Sequence, residues 1–487
     1  MSRLEYLHFA PELCLLDLEH LHGPKEVPYG KEELVVVCLV RNGLPWVESF
    51  VEHYLSLGVK HIVFLDNDST DDTVSAASRY GDVTVMRTRL PVNFYEGGVG
   101  QIIMQQYLVA RFGKGRWSLC VDIDELFDYP YSDVIDLSSF LGYLNSKSYT
   151  AVMAHMLDMF PERPVLERAD EQDEPLKEVH RFYDISNLVR WNKEERPRMR
   201  EMLSSRNNKL EADNVEWFAG GIRSDVFSYR PHLTKFPLVF YDGKVIPDPP
   251  HHVNNARIAD VTCVLFHYKF LKDFRERTMS AARNWRNTPT SADYSKYLEV
   301  LDRDPSLRLN KGNAREITSV NDLLENAFLV VSDDYMNWVN AEDRRSVLQV
   351  AQGGLDMTVE ALLESRREQR AKTLKLGRVE WQLLKARQQE KARAQRTQKL
   401  NNQLRDRGER IQTLERQLRD QDRNLQELKR KQQRLVRQRR RLRSHNVRLE
   451  GRLESMQTSR AWRLVQVLRS IKARALSIYR RSRPYST

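Results

Sequence analysis

The chain has 487 residues and a mass of 57.3 kDa, and 41% of its residues are hydrophobic, too long for one ordinary domain and apolar enough for a sizeable core. Four cysteines cannot staple a chain of this length, none stand in C-x-x-C spacing, and no apolar run is long enough to span a bilayer, which excludes a disulfide scaffold, a cysteine zinc site and a membrane-spanning helix. The net charge of +11 hides two opposite parts: residues 366–487 carry 37 Lys and Arg against 11 Asp and Glu (+26), and residues 1–365 carry 41 against 56 (−15), an acidic body with a basic tail.

Residues 1–30 read as an N-terminal extension. MSRLEYLHFAPELC has an early acid and no long apolar stretch, so a secretory leader is not expected. Cys38, Cys120 and Cys263 sit in apolar runs as buried thiols, which suits a reducing, cytoplasmic compartment. KEELVVVCLVRN gives a continuous apolar strand, the signature of a parallel sheet covered on both faces. PWVESFVEHYLSLG gives a helix with Trp46, Val47, Phe50, Val51, Tyr54 and Leu55 on one face and Gly58 at its end. HIVFLDNDSTDDT gives a second strand and an acidic turn, with Ser69 or Thr70 expected to cap a helix starting near Asp71. A third strand follows at Val83–Val85. The β-α-β-α-β succession predicts an open α/β sheet, whose ligands bind at the carboxyl ends of the strands. Arg41 and Asn42, and Asp66, Asn67 and Asp68, should therefore face one cleft. Neither a G-x-G-x-x-G nor a G-x-x-x-x-G-K-[ST] pattern is present, so a glycine cradle for phosphate is not the device. EGGVGQ, with Glu96, Gln101 and Gln105 in or after it, suits a mobile lid or a plain surface loop.

RWSLCVDIDELF predicts a strand over Trp117–Val121 with Asp122, Asp124 and Glu125 at its end. In extended geometry Asp122 and Asp124 project on one side, about 7 Å apart. Two such oxygens suit a hard divalent cation, Mn²⁺ or Mg²⁺, that also holds a diphosphate. The alternative is a helix N-terminus favoured by acids.

Together these segments resemble the GT-A glycosyltransferases of family 2 and the related family-92 type. The matching pieces are a strand ending in R-N, the His53 to Gly58 helix end, the Asp66 to Asp71 turn and the D-x-D-E strand; Gly43 departs, since an acid often follows the Asn. WFAGGIRSDVFSYRPHLTKFPLVF (217–240) is similar to that group's GG-x-R segment and K-x-P-L, and VTCVLFHYKFL (261–271) to its strand ending in H-x-K-F. The resemblance covers roughly residues 33–290. It implies a GT-A type open, mostly parallel nucleotide-sugar-binding sheet with flanking helices over 31–271. It also implies transfer of a sugar from a nucleotide-sugar donor to a glycan or lipid-linked acceptor, with inversion, in cell-surface polysaccharide synthesis. By the same resemblance Asp66 or Asp68 meets the nucleobase or ribose, Arg223 and Lys235 face the diphosphate, and His267 is the third metal ligand after Asp122 and Asp124. His251 and His252 are runner-up ligands. The bland alternatives are an Arg223 that only pairs an acid such as Asp225 and a His267 that is a core or acceptor-binding residue. An inverting transfer needs one general base. Glu216 and Asp225 are the candidates, with Asp158 behind them.

PERPVLERADEQDEPLKE, within 160–215, reads as an exposed insertion. Residues 272–365 read as a helical cover and connector. From Leu400 to Met456 a 4-3 spacing places Leu, Ile or Met at twelve of seventeen seam positions, with Arg439, Gln432 and Asn446 among the polar ones. A strict heptad needs a partner helix, so 366–458 is expected to be a basic coiled coil, about 85 Å long over its regular part, through which the chain self-associates. Residues 459–487 suggest a basic amphipathic helix in which Trp462, Val465, Leu468, Ile471, Ala475 and Ile478 recur at helical spacing, suited to an anionic membrane surface on the inner face of the cell membrane. SRAWRL at 459–464 looks similar to tails of bacterial surface-glycan enzymes. Nucleic acid is a poorer match: it explains the tail's charge but not the acidic turn or the D-x-D strand. A non-catalytic glycan- or nucleotide-binding scaffold held together by the coil is the competing reading.

Overall fold

The structure is a computed structural model that describes residues 17–91, 99–167, 175–191, 206–248, 251–284, 289–351 and 356–481. Its first half runs β1 (Glu19–His22), β2 (Leu34–Val40), α1 (Leu44–Ser56), β3 (His61–Asp66), α2 (Thr73–Ala77), β4 (Val83–Arg87), α3 (Val99–Phe112) and β5 (Trp117–Cys120). The second half runs β6 (Glu125–Asp128), α4 (Leu137–Ser146), β7 (Ala151–Asp158), α5 (Leu176–Val179), β8 (Phe182–Tyr183), β9 (Leu188–Trp191), β10 (Lys209–Leu210), β11 (Trp217–Gly220), α6 (Ile222–Phe227), β12 (Thr234–Phe240), β13 (Ile246–Asp248), β14 (His252–Asn254) and β15 (Arg257–His267).

The fold is the expected α/β one. A ten-stranded sheet has the order β1-β4-β3-β2-β5-β12-β7-β15-β10, with β6 pairing β15. The run β4-β3-β2-β5 is parallel, and so are the pairs β7–β15 and β15–β10. β12 is inserted antiparallel between β5 and β7. The continuous apolar strand β2 feeds two cores by alternation. Leu34, Val36, Cys38 and Val40 pack with Trp46, Val47, Phe50 and Val51 of α1. Val35 and Val37 pack with Met104, Tyr107 and Leu108 of α3. This is why the strand tolerates no polar position. The stretch expected to be a mere extension supplies β1, which pairs with β4 and closes that edge of the sheet.

The charged segment 161–178, expected to be an exposed insertion, has Glu162, Glu167, Lys177 and Glu178 exposed as far as it is described, but its flanks are anchored in the body. Phe160, Val165, Tyr183 and Leu188 are buried, and β9 pairs with β11. The charged residues between them masked the apolar spacing; Glu96 of the expected lid lies outside the described residues.

After β15 come α7 (Phe274–Asn284), α8 (Pro289–Arg303), β16 (Arg315–Glu316), α9 (Asp322–Glu325) and α10 (Asp333–Ala351). Phe274, Tyr297 and Leu301 share a core with Phe160 and Phe227, and Leu323, Tyr335 and Val339 join the main core. The long helix α11 (Asp356–Thr458) and α12 (Arg460–Arg481) follow. The chain divides into two units, Met1–Lys385 and Ala386–Thr487. In the second unit the apolar seam residues, from Leu400 to Met456, are 46–64% exposed in the single chain.

Candidate active site

Two groups of polar residues gather at the carboxyl ends of the strands. The first follows β2 and β3. Parallel register sets Val40 beside Asp66, so the loops that leave these strands run side by side. Asn42 N–H donates to Ser69 Oγ at 2.9 Å, Gly43 N–H to Thr73 Oγ1 at 2.8 Å, and Thr70 N–H to Asn42 Oδ1 at 2.8 Å. Ser69 and Thr70 thus serve the neighbouring loop; Asp72 is the N-cap residue of α2, with no side-chain cap bond. Asn42 (φ 53°) and Asp68 (φ 58°) both adopt left-handed backbone, which Asn and Asp tolerate better than most residues. Asp66 is fully buried; it accepts from Arg87 Nε at 2.8 Å and from Ser69 N–H at 3.2 Å. Asn67 donates to the Leu90 carbonyl at 2.6 Å, while its buried Oδ1 has no hydrogen-bond partner among the described residues. Arg41, Asn42 and Asp68 are exposed at this rim.

The second group lies at the ends of β7 and β15, beside the turn into β6. β15 is central to it: its register places His267 opposite Asp158 of β7 and opposite Glu125 of β6. His267 Nδ1 is 2.6 Å from Asp158 Oδ1, and His267 Nε2 is 3.3 Å from Asp124 Oδ2. Arg223 of α6 donates from Nε to the other Asp158 oxygen at 2.8 Å. On the neighbouring strand, Lys235 Nζ donates to Asp122 Oδ2 at 3.1 Å and also to Glu125. Lys235 stands where β12 shifts register against β7, a shift that spans Pro237; a bulge of this kind re-aims a side chain.

These carboxylates and cations hold one another charged. Burial works to raise the Asp124 carboxyl, but His267, with Lys269 and Lys235 behind it, holds it well below the usual carboxylate range. Burial is likewise overcome at Asp158, where Arg223 and His267 lower the carboxyl. Burial opposes the imidazolium of His267, yet Asp124 and Asp158 raise it. The Lys235 ammonium is also buried, and Asp122 and Glu125 keep it well above the ordinary lysine value. Glu125 goes the other way: burial raises it, and Lys235 offsets this only in part.

The predicted residues therefore divide. Asp122, Asp124, Lys235, His267 and Arg223 come together, but not as expected for the metal trio. The strand ends at Cys120, and Asp122–Asp124 forms a turn in which Glu125 N–H donates to the Asp122 carbonyl at 3.1 Å. Extended geometry does not hold there. Asp122 goes to Lys235 and Asp124 to His267. Among the described residues no group of three His, Cys, Asp or Glu is placed to hold a metal. Arg223 pairs Asp158 rather than Asp225, which is exposed and accepts from Asn187 Nδ2 at 3.0 Å. Both oxygens of Asp158 are engaged, one by Arg223 and one by His267, and the carboxylate is buried, so it is placed to hold its neighbours rather than to meet an acceptor. Glu216 is buried within the field of Arg190, whose guanidinium lies over Phe218 and donates to the Ala327 carbonyl at 2.8 Å. His251 falls within the electrostatic reach of Lys235 and Asp122, and His252 opens β14. Gln101 is half-buried on α3; Gln105 is fully buried, and its amide finds no partner among the described residues.

Sequence reasoning missed Lys269, Tyr294 and Tyr297. Lys269 Nζ lies 5.8 Å and 5.7 Å from the centroids of Tyr294 and Tyr297, and burial, against the pull of Asp124, pushes its ammonium down to about 8. The spacing of His267 and Lys269, alternate residues leaving one strand, was the available signal. The tyrosines come from α8 and had none.

No protein-family model matches the chain, and no curated protein matches it in sequence. Solved structures to which it is similar include S. aureus TarS 1–349 (14% identity, 73% of this chain and 92% of that chain, TM-score 0.22). Another is mannosyltransferase PcManGT from Pyrobaculum calidifontis in complex with GDP-Man and Mn²⁺ (13% identity, 77% and 91%, TM-score 0.22). A third is glucosyl-3-phosphoglycerate synthase from Mycobacterium tuberculosis with Mn²⁺, UDP and glucosyl-3-phosphoglycerate (18% identity, 28% and 52%, TM-score 0.18). At these TM-scores the likenesses carry no weight for the chemistry of the site.

Proposed function

We propose that the chain is a glycosyltransferase that moves a sugar from a nucleoside-diphosphate donor to a glycan or lipid-linked acceptor. The observation that carries this reading is the alternating array Arg223–Asp158–His267–Asp124 beside Lys235–Asp122–Glu125, at the carboxyl ends of strands in an open α/β sheet. Such an array supplies cations where a leaving diphosphate gains charge, and a carboxylate and an imidazole that would hold a hard cation.

The donor chemistry fits a divalent ion at Asp124 and His267. Asp158 on Nδ1 fixes the ring and turns Nε2 toward Asp124, the arrangement that orients metal-binding histidines. A Mn²⁺ or Mg²⁺ ion held by Asp124 and His267 would act as a Lewis acid on the diphosphate. His267 would hold such an ion only with Nε2 unprotonated, so binding would strengthen as pH rises. Lys235 meets diphosphate charge from β12, and Asp122 balances it until the donor enters. Asn42, Asp68 and Asn67, whose Oδ1 has no partner among the described residues, border the end of the cleft we assign to the nucleoside. We take Asp225, exposed on α6, as the base of a single-displacement, inverting transfer, with Glu216 as the buried alternative. In the second unit the exposed seam of α11 pairs with a second copy, which gives a self-associated enzyme. Cell-surface polysaccharide synthesis is the pathway we favour for it.

The test is nucleotide release from a panel of UDP-, GDP- and dTDP-sugars with Mn²⁺, with wild type and Asp124→Ala compared. Metal-dependent release that disappears in the variant supports the reading. A folded protein that binds a nucleotide and turns over none of the donors, with an acceptor glycan present, supports the scaffold instead.

A further inference from the structure

We propose that α12 lies on an anionic lipid surface and is a membrane-contacting element separate from the self-association seam of α11. The proposal goes beyond the donor-site reading and does not rest on it.

The helix break separates the two elements. α11 ends at Thr458 and α12 begins at Arg460; between them Ser459 accepts the Trp462 N–H on its Oγ at 3.2 Å and donates the same hydroxyl to the Met456 carbonyl at 2.6 Å. The heptad seam stops at the same point. Continued past Met456, it falls on Arg460, Arg463, Val467, Ser470, Arg474 and Ser477, all but one of them Arg or Ser. The continued seam meets the apolar face of α12 at Val467 alone, so a second copy packed along it leaves Leu464, Leu468, Ile471 and Ala475 off its line.

That face is present. At 3.6 residues per turn, Leu464, Val467, Leu468, Ile471 and Ala475 fall within an arc of about 100°. Leu464, Val467, Leu468 and Ile471 are 57–64% exposed in the chain. Arg463 and Arg474 border one edge of the arc and Lys472 the other, placed to snorkel their charges while their stems lie along apolar surface. Trp462, expected on this face, lies on the opposite side and is half-buried at the helix start, so the anchor is aliphatic.

Charge selects the occupant. α12 contains no Asp or Glu, whereas α11 carries both signs. Two copies of α12 face to face would bring only like charges together. A neutral protein groove would leave the cations unanswered. A lipid surface with anionic headgroups takes the apolar stripe into its acyl boundary and the flanking cations at its phosphates. A nucleic acid answers the charge and leaves the stripe in water.

The experiment is co-sedimentation of the full chain with phosphatidylcholine vesicles and with phosphatidylcholine–phosphatidylglycerol vesicles. Three proteins are compared: wild type, Leu468→Glu/Ile471→Glu, and Arg463→Gln/Lys472→Gln/Arg474→Gln. All the substituted residues are exposed, and circular dichroism checks that the helix persists. Wild type should bind the anionic vesicles and not the neutral ones. The charge variant should lose on the order of a hundredfold in partitioning, and the apolar variant should lose binding, with both keeping the wild-type oligomeric state. The proposal is overturned by absent binding, by equal binding to both vesicle types, by variants that bind as wild type does, by variants that change the oligomeric state, or by duplex DNA that competes the protein off anionic vesicles.

Discussion

The two polar groups at the strand ends use hydrogen bonds in opposite ways. After β2 and β3, side chains bond backbone: Ser69, Thr73 and Asn42 tie one loop to the other, and Asp66 is shared between Arg87 and the Ser69 N–H. After β5, β7 and β15, charged side chains bond chiefly one another, with Arg223 also reaching Met156 Sδ at 3.6 Å. The first group shapes a rim that barely needs its charges. The second depends on each charge to keep the next one ionised in a buried setting, and it can exchange those partners for the charges of a ligand. Loss of one member should therefore be costly in the second group and mild in the first.

Arg223→Met tests this most severely. It strands buried Asp158 beside His267 alone, and should cost about 3–5 kcal/mol of stability by denaturant titration. Asp124→Ala should keep the fold and reduce donor turnover by about 10²–10³-fold, the scale for losing a charge-stabilising group, measured as nucleotide release. Arg87→Met, the counterpart in the first group, should cost only about 1 kcal/mol, because Arg87 is partly exposed and Asp66 keeps the Ser69 N–H. A cost for Arg87→Met equal to that of Arg223→Met would erase the contrast. Asn42→Ala should cost roughly 1 kcal/mol, through the lost Thr70 bond and the left-handed backbone, with turnover changed less than stability.

Acid gives a background against which these differences are read. Burial holds His53 and His155 down to about 3 and His180 to about 4. An unfolded imidazole takes its proton near about 6.5, so below that pH the unfolded chain binds protons that the folded one refuses. The stability from these residues is complete above about pH 6.5 and is lost as pH falls toward about 4 and then 3. Through these three residues urea midpoints should fall steadily as pH drops below about 6.5, while the raised His267 works in the opposite sense, its contribution being lost as pH rises. The lowered carboxyls of Asp158 and Asp124 add to the decline in the same direction at lower pH.

How much of this was legible in the sequence differs between the same two regions. The apolar strand β2, the one-faced helix α1 and the acidic turn after β3 are contiguous and periodic, and they fold as their pattern suggests. The second group is assembled from β7, α6, β12 and β15, which are far apart in the chain. Sequence placed His267 and Arg223 near the cleft by motif, but only the sheet register sets Asp158 beside His267, and only α6 brings Arg223 back to it. The geometry of Asp122 and Asp124 was misjudged because an apolar strand suggests continued extension, whereas the chain turns immediately after Val121. The burial of Phe160 and Tyr183 was hidden by the charged residues that separate them.

The central claim is that the Asp124–His267 pair holds a divalent ion and, through it, a nucleoside diphosphate. Calorimetric titration of the full chain with UDP and with GDP, in the presence and absence of Mn²⁺, tests it most directly when wild type is run beside Asp124→Ala and His267→Ala. The account predicts nucleotide binding that requires Mn²⁺ in wild type and is lost in both folded variants. Nucleotide binding that is independent of Mn²⁺, or unchanged when either side chain is removed, would contradict it.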